Sequence, residues 1–149
     1  MKTFLFLLIF TFFQTKEYTG KIIYVTDGDN FTLQTEQGNL KIRMDGIDAP
    51  EMDQEYGKES KAFLFKYLHK ECRVIYKGVD KYGRTIGVLY VVDVNINLLS
   101  VEKGFAWHYK KYSNDSTLVQ AEVRARGEKK GLWENPNAIA PWEWRLRGK

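Results

Sequence analysis

Beyond residue 18 the chain never sustains one apolar periodicity for long. β-Branched and aromatic residues come in short runs, each cut off by turn-forming residues, and this punctuation constrains the fold more tightly than composition does. Residues 21–26 stop at Asp27-Gly28-Asp29. Residues 31–35 alternate with period two and turn at Gln37-Gly38-Asn39 into residues 40–44, which end at Gly46 and Pro50. Residues 73–76 and 86–92 add two further runs on either side of the loop 78–84. Such alternation marks strands with one face buried. Phe63, Leu64, Tyr67 and Leu68 recur at helical spacing within residues 58–69. Residues 97–103 form a short helical stretch stopped by Gly104, and residues 115–130 a longer one opened by Asn114, Asp115 and Ser116 and closed by Gly131. Five strands with two or three helices predict an α+β, mainly β domain built on a five-stranded OB-fold Greek-key barrel, although other α+β folds share those elements.

The 149 residues suit one domain with its own core. Cys72 is the single cysteine, which excludes an internal disulfide and any zinc site built on paired cysteines. With 23 Lys and Arg against 19 Asp and Glu, the net charge of +4 permits attraction to a polyanion without naming one. Residues 4–13 are an apolar run preceded by Lys2, about half the length a membrane-spanning helix needs. A positive start followed by such a run fits a secretory signal peptide. Residues 1–15 are therefore expected to direct export, secreted or periplasmic, and residues 16–149 to form the folded domain. Phe13-Gln14-Thr15-Lys16 offers no small-x-small cleavage pair. An uncleaved membrane anchor and a buried first strand remain the alternatives.

Acids and arginines gather at the strand ends. Asp27-Gly28-Asp29 occupies the first hairpin turn, and Asp45-Gly46-Ile47-Asp48-Ala49-Pro50-Glu51 follows the third strand. Carboxylates without partnering cysteine or histidine would form a site of hard oxygen ligands, suited to calcium or magnesium. Either turn alone says little, because Asp-Gly serves hairpins for backbone reasons. Arg43 and Arg84 add a second chemistry, since guanidinium matches phosphate oxygens in bidentate geometry. Surface salt bridges would explain the same residues.

In order along the chain, Ile23 through Asp29, Arg43-x-x-Gly46-Ile47-Asp48-Ala49-Pro50-Glu51, Asp80-Lys81-Tyr82-Gly83-Arg84 and Gly104-x-Ala106-Trp107-x-Tyr109 resemble the staphylococcal nuclease (thermonuclease) family. The segment Ala125-Arg126 to Trp133 and the closing Pro141-Trp142 to Arg145 are similar to its compact bacterial members. The resemblance implies an OB-fold enzyme that hydrolyses DNA and RNA with Ca2+, cutting the bond to the 5′-oxygen and leaving 3′-phosphate ends. Asp29 and Asp48 match the family's calcium-binding aspartates, with the Ala49 carbonyl as a further ligand. Arg43 and Arg84 match its phosphate-binding arginines and Glu51 its catalytic glutamate. Lys81 and Tyr82 match residues near a terminal phosphate, and Trp107 and Tyr109 an aromatic pair beside the base. Asn30 and Ala49 replace threonines, and the segment after Pro50 is shorter.

Stacking on Trp107, Tyr109 or Tyr82 would tolerate any base, so weak sequence preference and a bias toward single-stranded or frayed substrate are expected of a monomer. Lys110-Lys111 and the tail from Arg145 to Lys149 would add backbone attraction or simply be solvated. Trp133, Trp142 and Trp144 are expected to cover the core, Cys72 to be a small buried apolar group, His69 to end the first helix, and His108 to have neither a metal nor a triad role. The rival from another class is a non-catalytic OB-fold module that holds nucleic acid. Such a module has no need of Asp29, Asp48, Glu51 and both arginines together.

Overall fold

The computed structural model describes residues 15–148; the expected signal segment lies outside them, apart from Thr15. Strands β1 (Glu17–Val25), β2 (Asn30–Thr35) and β3 (Gly38–Met44) form an antiparallel meander. After the two-residue β4 (Ile47–Asp48) and helix α1 (Gly57–Phe65), β5 (Glu71–Val79) and β6 (Thr85–Val91) return as a second hairpin. β5 pairs antiparallel with β1, and β6 pairs parallel with β3 through Ile42–Thr85, Arg43–Ile86 and Met44–Gly87. That parallel contact closes the five strands into the expected OB barrel and removes the free sheet edges.

β7 (Val94–Asn95) leads into α2 (Ile96–Glu102), then β8 (Trp107–His108), α3 (Ser116–Gly127), a 3-10 turn at Gly131–Glu134 and α4 (Pro141–Arg147). Among the described residues there are thus four α-helices where two or three helices were expected. Asp115 caps α3 as foreseen, accepting from Thr117 N at 2.8 Å. That helix stops at Gly127, because Lys129 takes a positive φ of 51° and Lys130 N turns back to Ala125 O at 2.9 Å. Gly131 instead packs against Gly104, a close approach of two backbones that a Cβ on either would block. The first helix likewise ends four residues before His69, which stands at φ 63° and donates its N–H to Ile22 O at 2.7 Å. His69 therefore caps no helix; it returns the chain to the barrel.

The inward-facing side chains of the barrel, with Phe31, Leu33, Ile42, Met44 and Leu89 at its centre, form one core under α1, α2 and α3. A second cluster of Trp107, Ala125, Leu132, Trp133 and Ala140, flanked by Trp142, attaches the C-terminal segment. Trp133 and Trp142 thus pack as expected. Glu122, buried on α3, ties the two halves together by accepting from His108 N and Arg126, both at 2.7 Å.

Cys72 is buried, and desolvation, with Glu71 beside it, pushes its thiol up to about 12. A thiol held neutral and enclosed is a poor nucleophile. Reaction with a disulfide reagent at pH 8 is expected to be about a hundredfold slower in the folded protein than in urea, measured as release of the coloured thiolate.

Candidate active site

The turn between β1 and β2 is held by Asp27, whose carboxylate accepts from Asp29 N at 3.1 Å and from Asn30 Nδ2 at 2.9 Å. It points Asp29 inward, where its Oδ1 accepts from Asn30 Nδ2 and its Oδ2 from Ala49 N, both at 2.6 Å. Ala49 thus presents its amide to Asp29. Asp48 arrives from the other side on β4, which pairs with β8 through Asp48–Trp107. Between the two stands Arg43 on β3, 3.3 Å from Asp29 Oδ2 and 3.1 Å from Asp48 Oδ1.

Arg43 is 14% exposed, and its Nη1 also donates to Met44 O at 2.8 Å and Ile47 O at 2.9 Å. Arg84 is oriented differently. Asp80 accepts from its backbone N at 3.0 Å and its Nε at 2.7 Å, while its Nη1 donates to Asn30 Oδ1 at 2.7 Å. Among the described residues nothing accepts from its Nη2, so Arg84 offers a free N–H beside the carboxylates. Asn30 is the bridge, donating to Asp29 and accepting from Arg84.

Burial pushes the Asp29 carboxyl up to about 8; the Arg43 charge opposes this, and Asp27 and Asp48 add to it. A carboxylate so enclosed is short of positive charge. Two desolvated hard-oxygen donors fit a divalent cation of the calcium type in donor chemistry. Among the described residues no group of three or more His, Cys, Asp or Glu comes together. The protein's own share of the ligands would therefore be small, with water completing the shell.

Glu51 lies in the turn after Pro50, fixed by Gln54: the Glu51 N–H donates to Gln54 Oε1 at 3.1 Å, and Gln54 N donates back to Glu51 O at 2.9 Å. Its carboxylate, and that of Asp48, meet an arginine from the far end of the chain. Arg145 Nη1 is 2.6 Å from Glu51 Oε1, and Arg145 Nη2 is 2.7 Å from Asp48 Oδ2. One network thus runs from Arg84 through Asn30, Asp29, Arg43 and Asp48 to Arg145 and Glu51.

Comparison with known proteins decides what this network belongs to. A family model described as staphylococcal nuclease homologue matches residues 41–135. An uncharacterized endonuclease of Haemophilus influenzae is 40% identical over 149 residues, spanning 96% of this chain and 83% of that protein. A micrococcal nuclease of Shigella flexneri is 34% identical over 145 residues, 89% of this chain and 83% of that protein. The chain belongs to the staphylococcal nuclease family. It is a hydrolase of the thermonuclease type, and its substrate is nucleic acid.

For a staphylococcal nuclease the outer residues fall as follows. Tyr82 is 72% exposed at the tip of the β5–β6 loop, with Lys81 Nζ 5.0 Å and the Arg84 guanidinium carbon 5.5 Å from its ring. Tyr109 is half-buried and stacks on Trp142 at 5.3 Å and 4°. Trp107 corrects the expectation of a stacking pair. At 7% exposure, it meets Trp133 at 4.4 Å and Trp142 at 5.5 Å edge-on, with Arg126 over its ring at 4.8 Å. Trp133 and Trp142 enclose it in the second core, leaving Tyr82 and Tyr109 as the more exposed aromatics.

From the sequence alone Asp80 and Gln54 have no part of their own, Asn30 counts only as a replaced threonine, and Arg145 belongs to a tail that adds backbone attraction or is solvated. Asp80, four residues before Arg84 in a turn sequence, was the readable one. Gln54 and Arg145 act across the fold, at separations that no local pattern carries: Gln54 Nε2 donates to Ile139 O at 2.6 Å.

Proposed function

We propose that the protein is a Ca2+-dependent phosphodiesterase acting on DNA and RNA with little sequence preference, preferring single-stranded or frayed substrate and leaving 3′-phosphate ends. The observation that carries this reading is the convergence of Asp29, Asp48, Glu51, Arg43 and Arg84 in one hydrogen-bonded site. Asp29 and Asp48 would hold the cation, which supplies positive charge against a phosphoryl oxygen when bound. Arg84 donates its free N–H to the phosphate, and its always-charged guanidinium favours the added negative charge of the transition state. Arg43 offsets part of the cost of burying Asp29 and adds to the same field. Glu51 accepts the proton of the attacking water. Tyr82 and Tyr109 offer ring faces that any base can meet, which supports weak sequence preference. The apolar segment behind Lys2 supports export, and the closed barrel supports a monomer.

The test is cleavage of single-stranded DNA and RNA with Ca2+ or with chelator. Cleavage is expected with Ca2+ alone. Glu51→Gln is expected to lower kcat about a hundredfold or more. Arg84→Ala should lose about as much, and Arg84→Lys should fail to restore it, because an ammonium lacks the fork. Nucleic acid bound by the wild type without Ca2+-dependent cleavage would overturn the enzyme reading in favour of a binding module.

A further inference from the structure

Asp48 carries two guanidinium groups, and they are held very differently. Arg43 projects from a barrel strand paired on both sides, is 14% exposed and is also fixed by two backbone carbonyls. Arg145 is 40% exposed on a seven-residue helix at the chain end. Side chains hold that helix over the opening: Trp142 stacks on Tyr109, the Trp144 indole N–H donates to Asp53 Oδ1 at 3.2 Å, and Gln54 binds the preceding Ile139. Arg145 also touches Asp48 Oδ1 at 3.3 Å through Nη1, so it covers both Asp48 oxygens and one of Glu51.

A guanidinium and a divalent cation compete for the same lone pairs and repel each other. The same guanidinium also occupies one oxygen of the Glu51 carboxylate. Of the two arginines on Asp48, the one with the fewer fixed partners yields first.

We propose that Arg145 is an autoinhibitory cation: α4 is a strap that lays its guanidinium on Asp48 and Glu51, and binding of a divalent cation displaces it. This rests on the proposed roles of Asp48 and Glu51. By linkage, Arg145 weakens cation binding, and cation binding frees the strap. Trp142 and Trp144, on the same helix as Arg145, report its movement through their fluorescence.

Calorimetric titration of the full chain with Ca2+ tests this. Arg145→Gln is expected to bind Ca2+ about tenfold more tightly than wild type, the size of one charge-assisted contact no longer displaced. Arg145→Lys should lie between them, and Arg147→Gln, on the same helix, should match wild type. Ca2+ should change the tryptophan emission of the wild type and change it less in Arg145→Gln. Unchanged or weaker Ca2+ binding by Arg145→Gln, with Asp48→Asn abolishing binding, would overturn the strap alone and make Arg145 idle or a positioning residue for Asp48. Absence of Ca2+ binding by wild type and Arg145→Gln alike would overturn the metal role of Asp48 and the strap with it.

Discussion

Arg43→Ala is expected to cost about 3 kcal/mol of stability, read as a lowered urea midpoint, and to remove nuclease activity, because breaking a buried pair leaves charge uncompensated. Asp29 and Asp48 are both almost wholly enclosed, and among the described residues Arg43 is the one cation within ion-pair distance of Asp29. Asp48 keeps Arg145; Asp29 keeps only dipoles, from Asn30 and Ala49. Arg43 further joins β3 to β4 by donating to the carbonyls of Met44 and Ile47. Arg43→Met separates the effects. It keeps the aliphatic stem and removes the charge, so it should recover part of the stability and none of the activity. Activity retained by Arg43→Met would show that the charge is dispensable and that the side chain serves packing alone.

What the sequence disclosed, and what it hid, divides along the range of the interactions. The barrel strands were readable because each has a buried face and a turn at its end. The parallel β3–β6 pairing that closes the barrel joins residues about forty positions apart, and local periodicity carries no trace of it. The two-residue strands β4 and β8 are too short for a period, yet they place Asp48 opposite Trp107. Trp107 is enclosed by Trp133 and Trp142, contacts across the fold that no local pattern carries. α4 had a signal in Pro141, which stands at its first position.

The site divides in the same way. Asp29, Arg43, Asp48, Glu51 and Arg84 were legible as residue types at strand ends, and the resemblance assembled them. The structure adds how they constrain one another. Both terminal nitrogens of Arg43 donate to Asp48 or the backbone, whereas among the described residues Arg84 Nη2 has no acceptor. Asn30 replaces a threonine of the family pattern and becomes the link between Arg84 and Asp29, a use that its amide permits and a hydroxyl would meet only in part. The family model matches residues 41–135, so three members of the network, Asp29, Asn30 and Arg145, lie outside it.

Gly57→Ala is expected to lower kcat about a hundredfold with a much smaller change in KM, although residue 57 touches no carboxylate. Gly57 opens α1, and a Cβ there would run into the carbonyl oxygen of Glu51, with the Glu51 carbonyl carbon at 2.8 Å and Met52 Cα at 3.1 Å. The obstruction is backbone, which cannot swing aside as a side chain would. The preceding Tyr56 already sits at φ 70°, and Gly57 N donates to Gln54 O at 3.1 Å, so α1 has little freedom to retreat. The turn carrying Glu51 must then move, which stretches both hydrogen bonds with Gln54 and misplaces the carboxylate against the water it serves. Stability should fall by about 2 kcal/mol, as for other overpacked positions. Substrate binding should persist, since Arg84, Tyr82 and Lys81 stand on the β5–β6 loop and take no part in that turn. Gly127→Ala is the control, because a Cβ at that helical position meets nothing within 4 Å, and it should be neutral or stabilise slightly. If Gly57→Ala kept wild-type kcat, Glu51 would tolerate displacement, and its assignment as the proton acceptor would fall.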